Sequence, residues 1–309
     1  MRVIFMGTPD FAVKTLEKII EEGHEVVLVV TQPDKPKGRG KNMQFPPVKD
    51  CAVAHGIEVF QPVRIREQEC IEVIRTYQPD IIVVAAFGQI LPKEILDMPQ
   101  YGCINVHASL LPKYRGAAPI QWAVINGDEK SGVTIMRMDV GLDNGDMIAK
   151  EEIVLAADET GGSLFDRLAE TGAALCVKTM SQIEAGNVTY TPQKEDEATH
   201  VSMIHKELGR IDWTQSAEVI ERLIRGLNPW PSAYTILNGK NFKIWNASIL
   251  AEVGENEPGT VIKVSGKEMW VQTGAGVLAL KEVQLEGKKR METDAFLRGY
   301  EVVEGTHLG

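Results

Sequence analysis

Residues 81–107 read IIVVAAFGQILPKEILDMPQYGCINVH. Ile81–Ala86 is an uncharged apolar run, the most strand-like in the chain, and Ile104–His107 is a second run with Asn105 and His107 on either side of Val106. An unbroken apolar strand is buried on both faces, which points to a parallel sheet between helix layers. Working outward, Val3–Met6 (ended by Gly7), Val26–Val30 and Glu58–Phe60 precede it, and Gly132–Met138 and Met147–Val154 follow. Phe11, Ala12, Leu16, Ile19 and Ile20 recur at helical spacing until Gly23, and Pro47–His55 and Cys70–Thr76 also read as helices. Strands alternating with helices predict an α/β, Rossmann-like, mostly parallel sheet with helices on both faces.

The texture changes farther on. A long amphipathic helix is expected over about Gly162–Glu184, with Leu164, Leu168, Leu175, Val177 and Ile183 as its core. Gly186–Ala198 is polar without an apolar period and reads as a connecting segment. After a helix over Ser216–Leu227, stopped by Asn228-Pro229-Trp230-Pro231, short β-prone runs alternate with turns. These are Tyr234–Leu237, Phe242–Ala247, Gly259–Val264, Met269–Thr273 and Gly276–Gln284, the pattern of a small OB-like β-barrel. The expected organisation is a first domain over 1–185, a linker over 186–208 and a β-barrel domain over 209–309.

Composition removes several function classes. A formal net charge of −10 argues against unspecific nucleic-acid binding, which needs clustered Lys and Arg, but leaves room for a local basic patch. No apolar run reaches the roughly 18 residues of a membrane helix, and no secretory signal is visible. Cys51, Cys70, Cys103 and Cys176 lie far apart and fit reduced thiols in a cytoplasmic protein. Met6-Gly7-Thr8-Pro9-Asp10 occupies the place of a dinucleotide fingerprint but lacks its second and third glycines. Asp139, Asp143 and Asp146 do not follow the alternate-ligand pattern of a calcium loop, and no metal is expected.

Two features point to chemistry. Asn105 and His107, two apart on a strand, face the same way at its carboxyl end, where open α/β sheets bind ligands. By themselves they fit an active site or a structural polar network equally well, since either satisfies polar groups on a buried strand. Asp143, in the loop Val140–Asp146, can bring a carboxylate over the sheet edge and orient His107. An amide, an imidazole and a carboxylate without a Ser or Cys nucleophile suit acyl transfer with no covalent enzyme intermediate, with Asn105 and His107 as donors to a developing oxyanion. The second feature is Thr31–Lys41, where Lys35, Lys37, Arg39 and Lys41 alternate with Pro and Gly. It reads as a solvated loop or as a basic finger that orders on RNA.

The run NVHASLLPKYRGAAPI at 105–120, followed by GLDNGD at 141–146, resembles the folate-dependent formyltransferases, and the resemblance extends over essentially the whole chain. It places Asn105, His107 and Asp143 on that family's catalytic positions and implies 10-formyltetrahydrofolate as formyl donor. The folate-contacting positions it implies are Phe87, Gly88, Ile90, Leu91, Ser109, Leu110, Leu111, Pro112, Val140, Gly141 and Leu142. Three features resemble the members that formylate the amine of methionine on initiator tRNA. These are RGAAPIQ after SLLPKY, the basic loop at 31–41, and a β-rich domain after residue 208. That resemblance implies an initiator methionyl-tRNA partner bound by Lys35, Lys37, Arg39 and Lys41; no membrane partner is expected, and the chain is expected to be a monomer. Lys288-Lys289-Arg290 is a second basic group that fits an RNA contact or a charged turn. Asn144 departs from the threonine usual in that family. Two competing readings are a formyltransferase for another amine or a formylfolate hydrolase, and a non-catalytic RNA-binding protein on the same fold.

Overall fold

The computed structural model describes residues 1–37, 42–251 and 255–309. Its strands in chain order begin β1 (Arg2–Gly7), β2 (Glu25–Val30), β3 (Lys35–Lys37), β4 (Asn42–Gln44), β5 (Val59–Phe60), β6 (Ile81–Ala85) and β7 (Cys103–His107). They continue with β8 (Arg115–Gly116), β9 (Lys130–Arg137), β10 (Met147–Val154) and β11 (His200–Val201). Helices α1 (Asp10–Glu21), α2 (Pro47–Ala54), α3 (Gln68–Thr76), α4 (Lys93–Leu96), α5 (Pro119–Asn126) and α6 (Gly161–Glu184) lie among them. Residues 1–119, 130–154 and 165–201 form one unit; 120–129, 155–164 and 202–309 form the other.

In the first unit seven strands pair in the order β10-β9-β7-β6-β1-β2-β5. The pairs β1–β2, β1–β6, β2–β5 and β6–β7 are parallel, as the apolar runs predict. β9 and β10 run antiparallel to their neighbours, and β10 is half-exposed, as an antiparallel edge can be. Strand order turns back between β1 and β6, which puts a crevice at the carboxyl ends of the central strands.

The two sheet faces have different cover. Val3, Phe5, Val83, Val106 and Val133 belong to one face, where Gly172 of α6 lies so close that a Cβ there would stand 2.9 Å from Val106 Cγ1. The other face carries Ile4, Met6, Leu28, Val30, Ile82, Val84 and Cys103, packed with Ile71 and Ile74 of α3, Ile95 and Leu96 of α4, and Phe87 and Leu91. Met6, Val84, Asn105 and Met136 are lateral neighbours on that face, so Asn105 interrupts an apolar row. The basic loop foreseen at 31–41 has a hairpin stem, with Lys35 opposite Gln44 and Lys37 opposite Asn42.

The second unit continues with β12 (Ala233–Leu237), β13 (Lys240–Leu250), β14 (Val261–Ser265), β15 (Glu268–Gln272), β16 (Val277–Leu285) and β17 (Met291–Glu292). Its helices are α7 (Ala217–Gly226) and α8 (Thr293–Gly299). The strands form an antiparallel sheet in the order β12-β13-β16-β15-β14, with β17 beside β16. The C-terminal residues tie its two edges: Val261 N donates to Thr306 O (2.8 Å) and Gly309 N to Ile236 O (3.1 Å). Phe242, Ile244, Leu278, Leu280 and Phe296 fill the interior. α7 starts where Ser216 Oγ accepts from Val219 N, an N-cap at the first residue of the helix expected over Ser216–Leu227.

Candidate active site

β7 brings Asn105 and His107 to the face that α3 and α4 cover elsewhere. The β9–β10 loop leaves β9 beside Cys103, where Met138 N donates to Cys103 O (2.8 Å), and closes where Arg137 N donates to Asp146 O (2.8 Å). Because β9 runs antiparallel to β7, this loop starts at the end of β7 remote from His107. It folds back along the sheet face, so Asp143 reaches the pair across the face and not over the sheet edge, the path expected from the sequence.

The three side chains meet. Asn105 Nδ2 lies 3.5 Å from Asp143 Oδ1, and His107 Nδ1 lies 3.7 Å from Asp143 Oδ2. Gly116 N donates to Asp143 Oδ2 at 2.9 Å. His107 Nε2 is 2.9 Å from Tyr114 O, a carbonyl that can only accept, so Nε2 carries a proton. Nδ1 is then the nitrogen turned toward Asp143. The two longer distances are looser than good hydrogen bonds, so Asn105 Nδ2 and His107 Nδ1 are held close to the carboxylate without being fully committed to it.

Residues that the sequence reading did not single out build the surroundings. Gln193 Nε2 donates to Asp143 O and to Gly145 O, both at 2.8 Å. Arg115, 3% exposed, donates from Nε to Gln193 Oε1 (3.0 Å) and makes a bidentate pair with Glu195 (2.8 and 3.0 Å). That guanidinium holds the Glu195 carboxyl below its usual range. The polar run at 186–198, read as a connecting segment, therefore uses its polarity on specific partners: Thr191 also exchanges backbone bonds with Met147. Thr134 sits opposite His107 on β9, accepts from Leu111 N (3.1 Å) and donates to Ser109 O (2.7 Å), fixing the 109–112 loop. The signal for Thr134 is a hydroxyl set inside the apolar run Val133–Met136. Thr134→Val removes both bonds at constant shape and should cost about 1–3 kcal/mol. A thermal midpoint lowered by roughly 2 °C or more checks it, and an unchanged midpoint contradicts it.

The residues expected at a folate site separate by exposure. Ile90 (76%), Val140 (62%) and Leu142 (56%) offer apolar surface to solvent, whereas Phe87 (2%), Leu91 (3%) and Leu111 (0%) belong to the core beneath. Ser109 is buried and donates to Lys113 O, Pro112 is buried, Leu110 is partly exposed, and Gly88 and Gly141 are exposed with φ of +84° and +158°. Leu142 lies over Gly116, its Cδ2 3.6 Å from where a Cβ would be. Phe87 O accepts from Thr8 Oγ1 (3.1 Å) and Gln32 Nε2 (3.2 Å), which fixes the chain turning out of β6. Ala86, Tyr114, Ala118 and Asp143 all have φ between +47° and +61°, a left-handed region costly for residues with a Cβ.

Of the basic residues, Lys35 is exposed on β3. Arg39, Lys41 and the Lys37 side chain lie outside the described residues. Arg290 pairs with Glu282 and lies over the Trp245 ring, 4.5 Å from its centroid, while Lys288 and Lys289 are exposed. Among the described residues no group of three or more His, Cys, Asp or Glu could hold a metal ion, and no helix is long and apolar enough to cross a membrane. Burial pushes the thiols of Cys103 and Cys176 up to about 12 and that of Cys51 up to about 11.

A doubly covered sheet with an amide, an imidazole and a carboxylate converging on one face can serve acyl transfer, and the sequence comparisons show the class of protein. Residues 1–180 match the family described as formyl transferase, and 203–301 match the formyl transferase C-terminal domain. The chain belongs to the formyl transferase family. It is 69% identical over 306 residues to the methionyl-tRNA formyltransferase of Agathobacter rectalis, covering 99% of each chain, and 58% identical to that of Lachnospira eligens, covering 100% of each. Among solved structures, WlaRD, a sugar 3N-formyl transferase, shares the fold at a TM-score of 0.68 and 19% identity, over 94% of this chain and 99% of that one. HypX from Aquifex aeolicus, solved with tetrahydrofolic acid, matches at 0.65 and 19% identity over 99% of this chain, which spans 50% of that one.

Proposed function

We propose that this chain transfers the formyl group of 10-formyltetrahydrofolate to the α-amino group of methionyl initiator tRNA. The observation that carries the reading is the meeting of Asn105, His107 and Asp143 on a face flanked by exposed apolar residues. Full-length similarity to methionyl-tRNA formyltransferases supports the choice of acceptor.

The folate supplies a formyl carbon on its N10. As the neutral methionine amine attacks, an N–C bond forms and the carbonyl oxygen becomes negative. Asn105 Nδ2 meets that charge. With Nε2–H directed at Tyr114 O, His107 presents Nδ1–H only as the doubly protonated ring, and Asp143 is the carboxylate that pairs with that form. Preorganised donors are the larger part of such catalysis, together with holding two substrates at once. When the N10–C bond breaks, the amine proton must reach N10, and a water held by Asp143 relays it. Ile90, Val140 and Leu142 give a flat ring an apolar bed.

The deciding assay supplies 10-formyltetrahydrofolate with charged initiator tRNA, elongator methionyl-tRNA, an amino sugar nucleotide, or no acceptor. Formylation confined to initiator methionyl-tRNA is expected. Formate release alone, or transfer to the sugar amine, rejects the reading. Lys35, Lys37, Arg39 and Lys41 are assigned to the tRNA, because cations at alternate positions suit a phosphate backbone. Arg39→Ala and Lys35→Ala should each raise KM for charged tRNA several-fold, lower its salt dependence by about one unit of slope, and leave folate KM alone. Unchanged tRNA kinetics in both variants would remove the hairpin from the interface.

A further inference from the structure

We infer that Gln193 is a positioning residue for Asp143, held in its working orientation by Arg115 and Glu195. The inference rests on the role given to Asp143 above and names what makes that role possible.

Asp143 stands in a loop that folds back on its own sheet, with a backbone φ of +50°. A left-handed aspartate does not hold itself there, so its carboxylate is only as well placed as the contacts around it. One of them is Gly116 N on the carboxylate, at 2.9 Å. The Gln193 amide supplies two more: both of its N–H bonds are used on backbone carbonyls, those of Asp143 and Gly145, on either side of Asn144. A single rigid amide thus spans the turn that aims the side chain.

The orientation of that amide is itself determined. Its oxygen takes the Arg115 Nε proton at 3.0 Å; turned over, it would set an oxygen against two carbonyl oxygens and an NH2 against a guanidinium. Arg115 cannot swing away, since it is buried and paired through two nitrogens with Glu195. Arg115 and Gly116 are also consecutive on β8, which pairs with His200–Val201 on β11. One short ladder therefore carries both grips: the Gly116 amide on the carboxylate, and through Arg115 and Gln193 the backbone behind it.

The test is steady-state formyl transfer by the full-length chain, with thermal midpoints measured in parallel. Gln193→Glu keeps the shape and the Arg115 contact but replaces two donors with acceptors. Gln193→Ala removes the span. Each should lower kcat about ten- to a hundred-fold, with both KM values changed less than about three-fold. A residue that merely filled space would tolerate the glutamate. The discriminating arm is the pair: in an Asp143→Ala background, Gln193→Glu should cost less than about two-fold more, because a positioning residue has nothing left to position. Three results overturn the inference. One is near-parent kcat for Gln193→Glu while Asp143→Ala is crippled, which spares the Asp143 assignment. Another is losses that multiply in the double variant, which means Gln193 acts elsewhere. The last is near-parent turnover of Asp143→Ala, which removes the role of Asp143 and that of Gln193 with it. Should Gln193→Ala fail to fold, the glutamate arms still decide.

Discussion

Asp143→Ala should lower kcat for formyl transfer by roughly a hundred-fold or more, about 2.7 kcal/mol of barrier, while the chain stays folded. The carboxylate is the one group that both other polar side chains face, at 3.5 Å from Asn105 Nδ2 and 3.7 Å from His107 Nδ1. Removing it takes away the negative charge beside His107 Nδ1 and the acceptor proposed for the proton relay. The side chain is partly exposed and packs no apolar group of its own, so the loss of rate should far exceed any loss of stability. Asp143→Asn separates charge from shape: an amide can still meet Gly116 N through its oxygen, but it cannot pair with an imidazolium. Both variants should therefore lose similar activity, and kcat at saturating substrates is the measurement. An asparagine variant near parent turnover would mean that geometry alone, not the charge, is used. An alanine variant near parent turnover would reject the assignment.

His107→Ala should lose as much, roughly a hundred-fold or more in kcat. The Nδ1 proton is the stronger of the two proposed oxyanion donors, because a charged donor binds a developing anion better than a neutral amide does. This variant differs from Asp143→Ala in one respect. His107 is buried and its Nε2 bonds to Tyr114 O, so truncation also withdraws a partner from that carbonyl and leaves a void. A thermal midpoint a few degrees lower should accompany the loss of rate, at about 1–3 kcal/mol. Asn105→Ala should fall less far, since it removes the neutral donor only. Equal turnover for parent and His107→Ala, measured well below the midpoint, would exclude the ring from the reaction.

Much of this was legible in the residues. The apolar runs at 81–86 and 3–6 gave their strands away because a strand covered on both faces has no polar option. Asn105 and His107 stood out as polar exceptions on one, and Ser216 marked the start of α7. What escaped notice was polar on polar. Gln193 and Glu195 sit in a stretch with no apolar period, and nothing in its composition tells solvated side chains from side chains bonded to a particular partner. The path of the 138–146 loop was equally hidden, because the direction of β9 depends on pairing with β7 and not on its own pattern. Short elements such as β8, β11 and α4 lie below the length at which periodicity can speak.

The four left-handed, non-glycine residues of the site have an implication for how such a protein can be improved. Glycine at Ala86, Tyr114, Ala118 or Asp143 would relax the backbone. A search for heat-hardened versions that never asks for turnover would drift toward it, and at Asp143 would discard the reaction. Durability and activity pull in opposite directions at this spot, so hardening is better sought far from it, on the surfaces of the second unit.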